Sequence, residues 1–420
     1  MTDVFADETR YSLGDLDPAR SRHNWTRSAT FVAGDVVFAG RLGGSMTAYR
    51  PDSSPPEAWT SSSNRDTDDP SGARDRYVVS LAHHEDLLVA GERGPEGYVT
   101  AISAATGETR WQYATVDDVG PATQDSLLFQ PYVVDVSVSD GTTVAASRRY
   151  ERDGQRRDWS SVVVGFDSNG DVRWRYRARA SPIALDVADG RVAVAYNRCP
   201  EGHGLVVLDG DSGTPILRWD PDTDGDRRVG DVGFVADGVA VASHGDKRGY
   251  LLDADGCEVW HVDLASERRV GDETVYAYPN QVCASDGVAV FVTGNTYAES
   301  TREPDARHPR QHTAIAVDEG EIAWTHEVGG FARDVSANGS LVAVPSAQNF
   351  RERTSDTHAV HLFDARGGHR GSRSIPGIAS ASALGTDTLA VVEEPVEYHD
   401  ENVVHGSYRL HTWKIDGHVR

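Results

Sequence analysis

The stretch Asp253-Ala-Asp-Gly-Cys-Glu-Val-Trp260 ends one unit of an internal repeat, and Asp167-Ser-Asn-Gly-Asp-Val-Arg-Trp174 ends another in the same way. A largely apolar run lies ahead of each stretch: Val239 to Ala242 ahead of Asp253, and Thr143 to Ala146 ahead of Asp167. A turn of the Asp-Gly type precedes each run and favours the positive φ angles that tight hairpins need. Short strands joined by such turns at regular spacing predict an antiparallel all-β protein.

The repeat extends along nearly the whole chain. Its apolar second strand occurs eight times, at Val36 to Ala39, Leu87 to Ala90, Thr143 to Ala146, Val192 to Ala195, Val239 to Ala242, Val288 to Phe291, Leu341 to Val344 and Leu389 to Val392. The closing tryptophan is clearest in five units, as Trp111, Trp174, Trp219, Trp260 and Trp324. Each unit has room for four strands, so the sequence predicts eight four-stranded antiparallel sheets.

At these residues the chain resembles the PQQ-like β-propeller repeat family, whose unit ends in a similar Ala-x-Asp-x-x-Thr-Gly-x-x-x-Trp motif. The resemblance covers about residues 25 to 420 and extends to quinoprotein-type, outer-membrane assembly factor and WD40-like propellers. It implies an eight-bladed β-propeller in which the tryptophans pack between neighbouring sheets. The first unit, with Trp59 after a Pro-rich turn, and the seventh, with Arg373 near the expected tryptophan, depart from the pattern. Seven blades with one irregular unit is the alternative.

The ends of the chain are predicted to meet in one sheet. The last unit has three clear strands, and His23-Asn-Trp25-Thr-Arg27 offers the outer strand that it lacks. We therefore expect a velcro closure in which this segment completes the eighth sheet. The predicted organisation is an acidic N-terminal extension, residues 1–22, followed by the propeller, residues 23–420.

The charge balance excludes some classes of protein. The chain has 65 Asp and Glu against 41 Lys and Arg, a net charge of −24 and three cysteines, which argues against a basic nucleic-acid binder and a disulfide scaffold. Lys247 and Lys414 are the only lysines. Acid excess with few lysines is similar to the proteins of salt-loving archaea, so a halophilic archaeal source is expected. Without a secretory signal or a long apolar segment, the expected location is cytoplasmic, with no membrane insertion.

The long loops are the predicted binding surface. In a four-stranded meander, the loops between second and third strands share a face with the crossings between sheets, and all long insertions belong to these two classes. Exposed arginines are concentrated there and can grip carboxylates or phosphates. The partner-binding candidates are Arg149, Arg152, Arg156, Arg157, Arg302 and Arg310. The expected partner is a protein or a small anionic ligand.

A second candidate site is a ring of polar residues at the mouth of the predicted channel. Its members end the second strands or lie on the first strands: Arg41, Glu92, Asp135, Arg148, Asn197, His244, Gln281, Arg333 and Glu394. Convergent polar groups in a central cavity are typical of a small-ligand site. Water filling the channel is the alternative explanation.

The sequence bears on two cofactors, calcium and PQQ. Asp220, Asp222, Asp224 and Asp231 have the spacing of a calcium loop, with Gly225 at the sixth position, but an arginine occupies the eighth position and Asp replaces Glu at the twelfth. Calcium is therefore a weak candidate. The quinoprotein dehydrogenases of the family hold their quinone with an adjacent Cys-Cys disulfide, which Cys199, Cys257 and Cys283 cannot form, so PQQ is disfavoured. The scattered histidines lack metal spacing.

The sequence thus favours a non-catalytic scaffold that binds a ligand or a protein through its long-loop face. The alternative is a channel-centred enzyme, either a cofactor-dependent oxidoreductase or a calcium-assisted hydrolase or lyase. No residue is assigned a catalytic role.

Overall fold

The computed structural model describes residues 4–21, 26–61, 76–139, 141–200, 202–224, 227–236, 238–295, 308–349, 354–398 and 402–415. Regular structure in these residues is almost entirely β, apart from the one-turn helix α1 (Val116–Val119) and a 3-10 turn at Ser355–Thr357. No helix within these ranges has the length and apolarity to cross a bilayer.

The strands are short and follow one another along the chain. The first seventeen are β1 (Phe5–Ser12), β2 (Ala29–Ala33), β3 (Val36–Gly40), β4 (Met46–Tyr49), β5 (Glu57–Thr60), β6 (Tyr77–His84), β7 (Leu87–Arg93), β8 (Tyr98–Ser103), β9 (Thr109–Ala114), β10 (Tyr132–Ser139), β11 (Thr142–Asp153), β12 (Arg156–Phe166), β13 (Val172–Ala178), β14 (Ser181–Ala188), β15 (Arg191–Arg198), β16 (Leu205–Asp209) and β17 (Pro215–Trp219).

The strands of the second half follow the same plan. They are β18 (Val229–Val235), β19 (Gly238–Ser243), β20 (Arg248–Leu252), β21 (Glu258–Asp263), β22 (Arg268–Val270), β23 (Glu273–Val275), β24 (Ala277–Ser285), β25 (Val288–Asn295), β26 (Thr313–Asp318), β27 (Glu321–Glu327), β28 (Ser336–Asn338), β29 (Leu341–Ser346), β30 (Ala359–Asp364), β31 (Gly368–Ser374), β32 (Ile378–Leu384), β33 (Thr388–Glu394), β34 (Val396–Glu397), β35 (Val404–His405) and β36 (Arg409–Ile415).

The described residues form six separate four-stranded antiparallel sheets and one eight-stranded sheet. In the eight-stranded sheet, β6–β9 and β10–β13 are each a four-stranded meander, and they are joined only by the pairing of Tyr132 with Arg93, so we number them as two sheets. One compact unit, residues 23–220 with 225–228, contains sheets 1 to 4, which are β2–β5, β6–β9, β10–β13 and β14–β17. The other unit, residues 1–22, 221–224 and 229–420, contains sheets 5 to 8, which are β18–β21, β24–β27, β28–β31 and the set β32, β33, β36 and β1. Hairpins β22–β23 and β34–β35 are additions to this plan. The predicted all-β class and four-stranded meander are confirmed.

Burial explains why the second strands are apolar throughout. Every residue of β19 and β33 is buried, so both faces of these strands are covered. The outer strands β21 and β27 instead expose alternate residues, because one face of each meets solvent. The turn before β15 has Asp189 and Gly190 at φ 49° and 69°, as the predicted Asp-Gly chemistry requires.

The outer-strand tryptophans join neighbouring sheets, as predicted. The indole N–H of Trp59, Trp174 and Trp324 donates to the carbonyl of Ala104, Gly210 and Ala365 respectively, at 3.0, 2.8 and 2.7 Å. Each acceptor belongs to the third turn of the next sheet along the chain. Each indole ring also lies against a glycine of that turn. This contact forms even in sheet 1, whose sequence departs from the repeat pattern.

The closing strand differs from the prediction. Strand β1 (Phe5–Ser12) pairs antiparallel with β36 and takes the outer position of sheet 8. The predicted closing segment, His23–Arg27, was therefore the wrong choice, and its residues 23–25 lie outside the described ranges. Closure by the N-terminal part of the chain is correct, but an earlier segment provides it. The division of the chain at residue 22 stays a prediction, although residues 5–12 form a strand of this sheet.

Strand β1 is fixed by packing and by a buried polar network. Phe5, 4% exposed, belongs to the core of sheets 7 and 8 and meets Trp413 edge to face at 6.0 Å. His411 lies between two acids, its Nδ1 3.0 Å from Glu8 and its Nε2 2.7 Å from the buried Glu393. The network therefore crosses three strands, β1, β36 and β33, and fixes their register.

Candidate functional site

The longest strands of the chain form a ribbon that projects from sheet 3. Strands β11 and β12 pair with each other as far as Asp153 and Arg156, whereas β10 pairs with β11 only up to Arg148. On the other side, β13 pairs with β12 only from Ser161 onward. Residues 149–153 and 156–160 are thus bonded only to each other within the sheet. We call them the sheet 3 ribbon.

Aromatic residues make the base of the sheet 3 ribbon rigid. Tyr150 and Trp159 are cross-strand partners with ring centroids 5.6 Å apart, and Phe129 stacks on Tyr150 at 5.3 Å. Trp159 and Phe129 are 7% and 8% exposed, so the base is buried. Such cross-strand aromatic pairs stabilise a two-stranded ribbon that has no further strands beside it.

Arg149 anchors the ribbon through contacts within the chain, and its role in partner binding stays a prediction. Its Nε donates to the Val119 carbonyl at the end of α1 at 2.7 Å, and its Nη1 pairs with Glu151. The side chain is largely buried. The sequence placed Arg149 among the partner-binding residues, and the structure shows that its donors are engaged within the chain.

The tip of the ribbon presents three arginines. Arg152 donates to the Gly154 carbonyl at 2.9 Å, and Arg156, whose side chain is 72% exposed, lies 3.5 Å from Asp158. The side chain of Arg157 is exposed, and it makes no hydrogen bond or ion pair within the part of the chain that the structure describes. Residues 148–158 contain five arginines and three acids, so this segment is net positive by two in a chain of −24.

Asp158 connects the tip to the neighbouring strand end. Arg179 contacts it at 2.8 Å. Burial opposes ionisation of this carboxyl, but Arg179, the Trp159 N–H and Arg156 outweigh burial and lower its pKa. Asp158 therefore stays charged and holds Arg156 and Arg179, while Arg152 and Arg157 keep more of their donors for a partner.

The other two predicted partner residues lie elsewhere. Arg310 donates to the Asp263 carbonyl through its side chain and to His308 Nδ1 through its backbone N–H at 3.1 Å. Its guanidinium is therefore partly committed to the chain. Arg302 lies outside the described residues.

In the unit with sheets 1 to 4, the predicted ring residues make internal contacts. Glu92 forms a bidentate pair with Arg76 at 2.7 and 2.9 Å, and both side chains are buried. Arg41 donates to Thr47 at 3.2 Å, and the Asn197 carbonyl accepts the Arg228 N–H at 2.9 Å.

Arg148 is also engaged within its unit. It bonds Ser181 and lies over the Tyr132 ring at 5.3 Å, with Arg93 5.0 Å from the same ring centroid. The guanidinium groups of Arg93 and Arg148 thus both contact the Tyr132 ring. These cation–π contacts favour an ordered position for both arginines at the start of β10.

The carboxylate of Asp135 accepts backbone hydrogen bonds from two neighbouring sheets. It accepts the Val136 N–H at 2.9 Å and the Ser80 hydroxyl at 3.0 Å, and it also accepts the N–H of Leu185 in sheet 4 at 3.2 Å. Burial raises the pKa of Asp135 to about 7 despite these hydrogen bonds. The role of Asp135 as a channel ligand stays a prediction, and a ligand would compete with the donors that already occupy both oxygens.

The same bridge recurs in the other unit. Asp231 accepts the Val282 N–H of the next sheet at 2.9 Å, and Asp334 accepts the Ser382 N–H at 3.0 Å. Burial also raises the pKa of Asp334. The bridging residue of sheet 7 directly follows the predicted ring residue Arg333, whose role in the ring stays a prediction. The signal was available, since Asp135, Asp231 and Asp334 each immediately precede a valine in or beside the first strand of a sheet.

The remaining ring residues are half-buried or buried. His244 faces Tyr278 with ring centroids 5.4 Å apart, Gln281 Oε1 is buried without a hydrogen bond, and Glu394 is fully buried. Glu394 ends β33 and His244 directly follows β19, whereas Gln281 lies within β24. Their joint use as a ligand site stays a prediction.

Two of the four predicted calcium ligands have other contacts. Asp220 accepts the Gly204 N–H at 3.2 Å and pairs with Arg228 at 3.0 Å, while Asp231 forms the backbone bridge described above. Calcium binding stays a prediction, and it would compete with these contacts.

Comparison with known proteins places these features in a family. The family model described as outer membrane protein assembly factor BamB matches residues 95–374, two thirds of the chain. The chain belongs to the PQQ-like β-propeller family. No curated protein matches the sequence significantly.

Solved structures of PQQ-like and other propellers share the fold. BamB from Moraxella catarrhalis is 15% identical, with 99% of this chain and 100% of that chain covered and a TM-score of 0.53. Quinohemoprotein alcohol dehydrogenase from Comamonas testosteroni is 13% identical, with 99% and 77% covered and a TM-score of 0.57. The RRP9 WD40 repeats are 10% identical, with 98% and 100% covered and a TM-score of 0.52. At these identities the similarity establishes an all-β propeller fold and nothing finer.

Proposed function

We propose that this PQQ-like propeller is a non-catalytic scaffold that binds an acidic segment of a protein partner at the sheet 3 ribbon. The observation that carries the proposal is the ribbon itself, which extends beyond its sheet, stands on a buried aromatic base and ends in exposed arginines. A ribbon that served only to connect two strands would need neither the added length nor the aromatic base.

Charge supports an acidic partner. The ribbon is net positive while the whole chain is strongly acidic. An acidic peptide is therefore repelled by most of the protein and attracted to this segment, and the contrast directs binding to one place. Guanidinium groups bind carboxylates with paired hydrogen bonds, which gives such an attachment geometric specificity.

The family supports a scaffold in general terms. The matching model is described as an assembly factor, and BamB and the RRP9 WD40 repeats have the same fold. Propellers hold loops on a stable frame, so a binding segment can be presented without a catalytic centre. The channel-centred enzyme has less support, because the carboxylate of Asp135 is occupied by hydrogen bonds within the protein.

The test is binding of a fluorescent peptide of ten Asp and Glu residues to the full chain, measured by anisotropy across a range of KCl concentrations. The double variant R156E/R157E should weaken binding at least tenfold, and the wild-type affinity should fall as salt rises. The matched control, R218E/R269E, makes the same change in net charge at exposed arginines of other elements and should bind as the parent does. Equal loss in both variants would reduce the effect to net charge and contradict the proposal.

A small anion is separated from a peptide by competition. Inorganic phosphate at the ionic strength of the assay should displace the peptide no better than chloride does. Displacement by low millimolar phosphate would instead show a pocket for a single small anion and would overturn the protein-binding proposal.

A further inference from the structure

Three histidines meet where the outer strand of sheet 6 contacts sheet 7. His326 lies on β27, His361 on β30 and His369 on β31, and one ring nitrogen of each lies within 4.8 Å of the other two. The rings of His326 and His369 stack with centroids 4.0 Å apart and planes 9° apart. Strands from two sheets thus bring together residues that are 35 and eight positions apart in sequence.

Packing of the apolar core does not require imidazoles here. Trp324 stacks on the buried Phe363 at 5.1 Å, and His326, two residues after this tryptophan, contacts Phe363 edge to face at 5.4 Å. In sheets 2 and 3 the same arrangement is built from Trp111 and Phe166, but Tyr113 takes the position of His326. A tyrosine satisfies this packing position, so the histidine cluster needs another explanation.

His361 gives the strongest evidence that the three rings hold a ligand. Neither of its ring nitrogens is accessible to solvent, and the backbone of Val328, which faces the ring, does not complete a hydrogen bond with either of them. A buried polar atom without a partner is costly and rare in native proteins. An electron-pair acceptor between the three rings would satisfy one of these nitrogens directly.

We propose that His326, His361 and His369 bind one divalent transition-metal ion of the zinc class and thereby link sheets 6 and 7. Imidazole nitrogens suit Zn²⁺, Co²⁺, Ni²⁺ and Cu²⁺ far better than Ca²⁺ or Mg²⁺. Tetrahedral zinc with bonds of 2.0–2.1 Å needs donors about 3.3 Å apart, so the rings must close by about 1.5 Å. His369 is exposed, so solvent can reach a fourth coordination position.

The experiment uses the untagged full chain, freed of metal by a chelating resin and titrated with ZnCl₂ in a calorimeter. One Zn²⁺ per chain should bind, and thermal unfolding should shift upward by a few degrees, because the ion binds the folded state alone. Co²⁺ should give the intense visible absorption of a four-coordinate ion with nitrogen donors.

Three variants identify the ligands. H369Q and H326Q should weaken Zn²⁺ binding by at least about 100-fold, more than the loss of an outer-shell partner costs. H369Q alters an exposed side chain, so its metal-free unfolding temperature should match the parent. H261Q is the control, because His261 is also an outer-strand histidine next to a repeat tryptophan, and it should leave Zn²⁺ binding unchanged.

Two results would overturn the proposal. The first is a wild-type chain that binds no Zn²⁺ at 1:1 stoichiometry. The second is a 1:1 complex that H369Q and H326Q leave intact, which would place the ion elsewhere and leave the imidazoles as packing for Phe363.

Discussion

At the scale of single residues, turn glycines fit the tryptophans of the neighbouring sheet. Gly213 has φ +67°, and a Cβ added there would lie 2.5 Å from the Trp174 ring. Trp174 is 7% exposed and cannot move aside without losing its hydrogen bond to Gly210. A side chain at position 213 would therefore be destabilising for two reasons, the left-handed backbone conformation and the collision with a buried ring.

The substitution G213A should lower the free energy of unfolding by about 3 kcal/mol, of which about 1–2 kcal/mol is backbone strain and the rest overpacking. Urea unfolding measures the change. G190A is the matched control, since Gly190 also has positive φ but a Cβ there meets nothing within 4 Å. G190A should therefore lower the free energy of unfolding only by the backbone strain, about 1–2 kcal/mol. Equal losses in the two variants would show that the tryptophan contact contributes no steric constraint.

A second residue-scale prediction concerns Asp135, whose pKa burial raises from 3.8 to about 7. The folded state therefore favours the protonated carboxyl, so its stabilising contribution is complete below about pH 3.8 and is lost as the pH rises through about 7. Between pH 5 and pH 8 the parent should lose about 2–3 kcal/mol more stability than D135N, which cannot ionise.

Urea unfolding of both proteins at pH 5, 6, 7 and 8 checks this difference. D189N, at an exposed turn aspartate of sheet 4, should follow the pH dependence of the parent. Parallel curves for the parent and D135N would mean that the three hydrogen bonds of Asp135 compensate fully for burial of its charge.

At the scale of strands, β1 closes sheet 8 and covers the edge of β36. Deleting residues 1–12 removes Phe5 and Tyr11 from buried positions and leaves His411 without Glu8. The thermal transition should fall by several degrees and lose cooperativity, because an unpaired edge strand can fray. Differential scanning calorimetry measures the transition, and deletion of residues 1–3 alone is the control. A chain without residues 1–12 that melts as the parent does would contradict the closing role of β1.

Elements differ in how far their sequence predicts them. The apolar second strands and the Asp-Gly turns are local signals, so the repeat and its four-stranded sheets follow from them directly. Strand β1 escapes this reasoning, because only Phe5 and Tyr11 of its eight residues are buried, and a bulge between Ala6 and Thr9 breaks the alternation. Its charged residues Glu8 and Arg10 resemble a solvated tail.

The sequence likewise predicts only part of the candidate site. The arginines at the tip of the sheet 3 ribbon follow from the strand order of the repeat together with the basic residues of its long loops. The contacts that engage Arg149 and Glu92 come from Val119 and Arg76, distant in sequence, so no local pattern reveals them. The three histidines show the same limit, since only the contact between sheets 6 and 7 brings them together.

At the scale of the whole molecule, self-repulsion of the excess acids should decide the salt dependence of stability. Charges separated by about 10 Å interact at 0.1 M salt, whereas at 1 M the screening length is about 3 Å. With a net charge of −24, the folded chain gains more from screening than the expanded unfolded chain does. The unfolding temperature should therefore rise steeply between 0.1 and 1 M KCl.

A variant with lower charge separates screening from other effects of salt. E108Q/D255N/E321Q neutralises three exposed acids in three different sheets and changes the net charge from −24 to −21. Because self-repulsion scales with the square of net charge, its rise in unfolding temperature between 0.1 and 1 M KCl should be about a quarter smaller than that of the parent. Sucrose stabilises the folded state because it is excluded from the protein surface, and it does not screen charge. It should therefore raise the unfolding temperature of both proteins equally. Identical KCl curves for the two proteins would assign the salt effect to ion exclusion or to specific ion binding, and the acid excess would then have no role in stability.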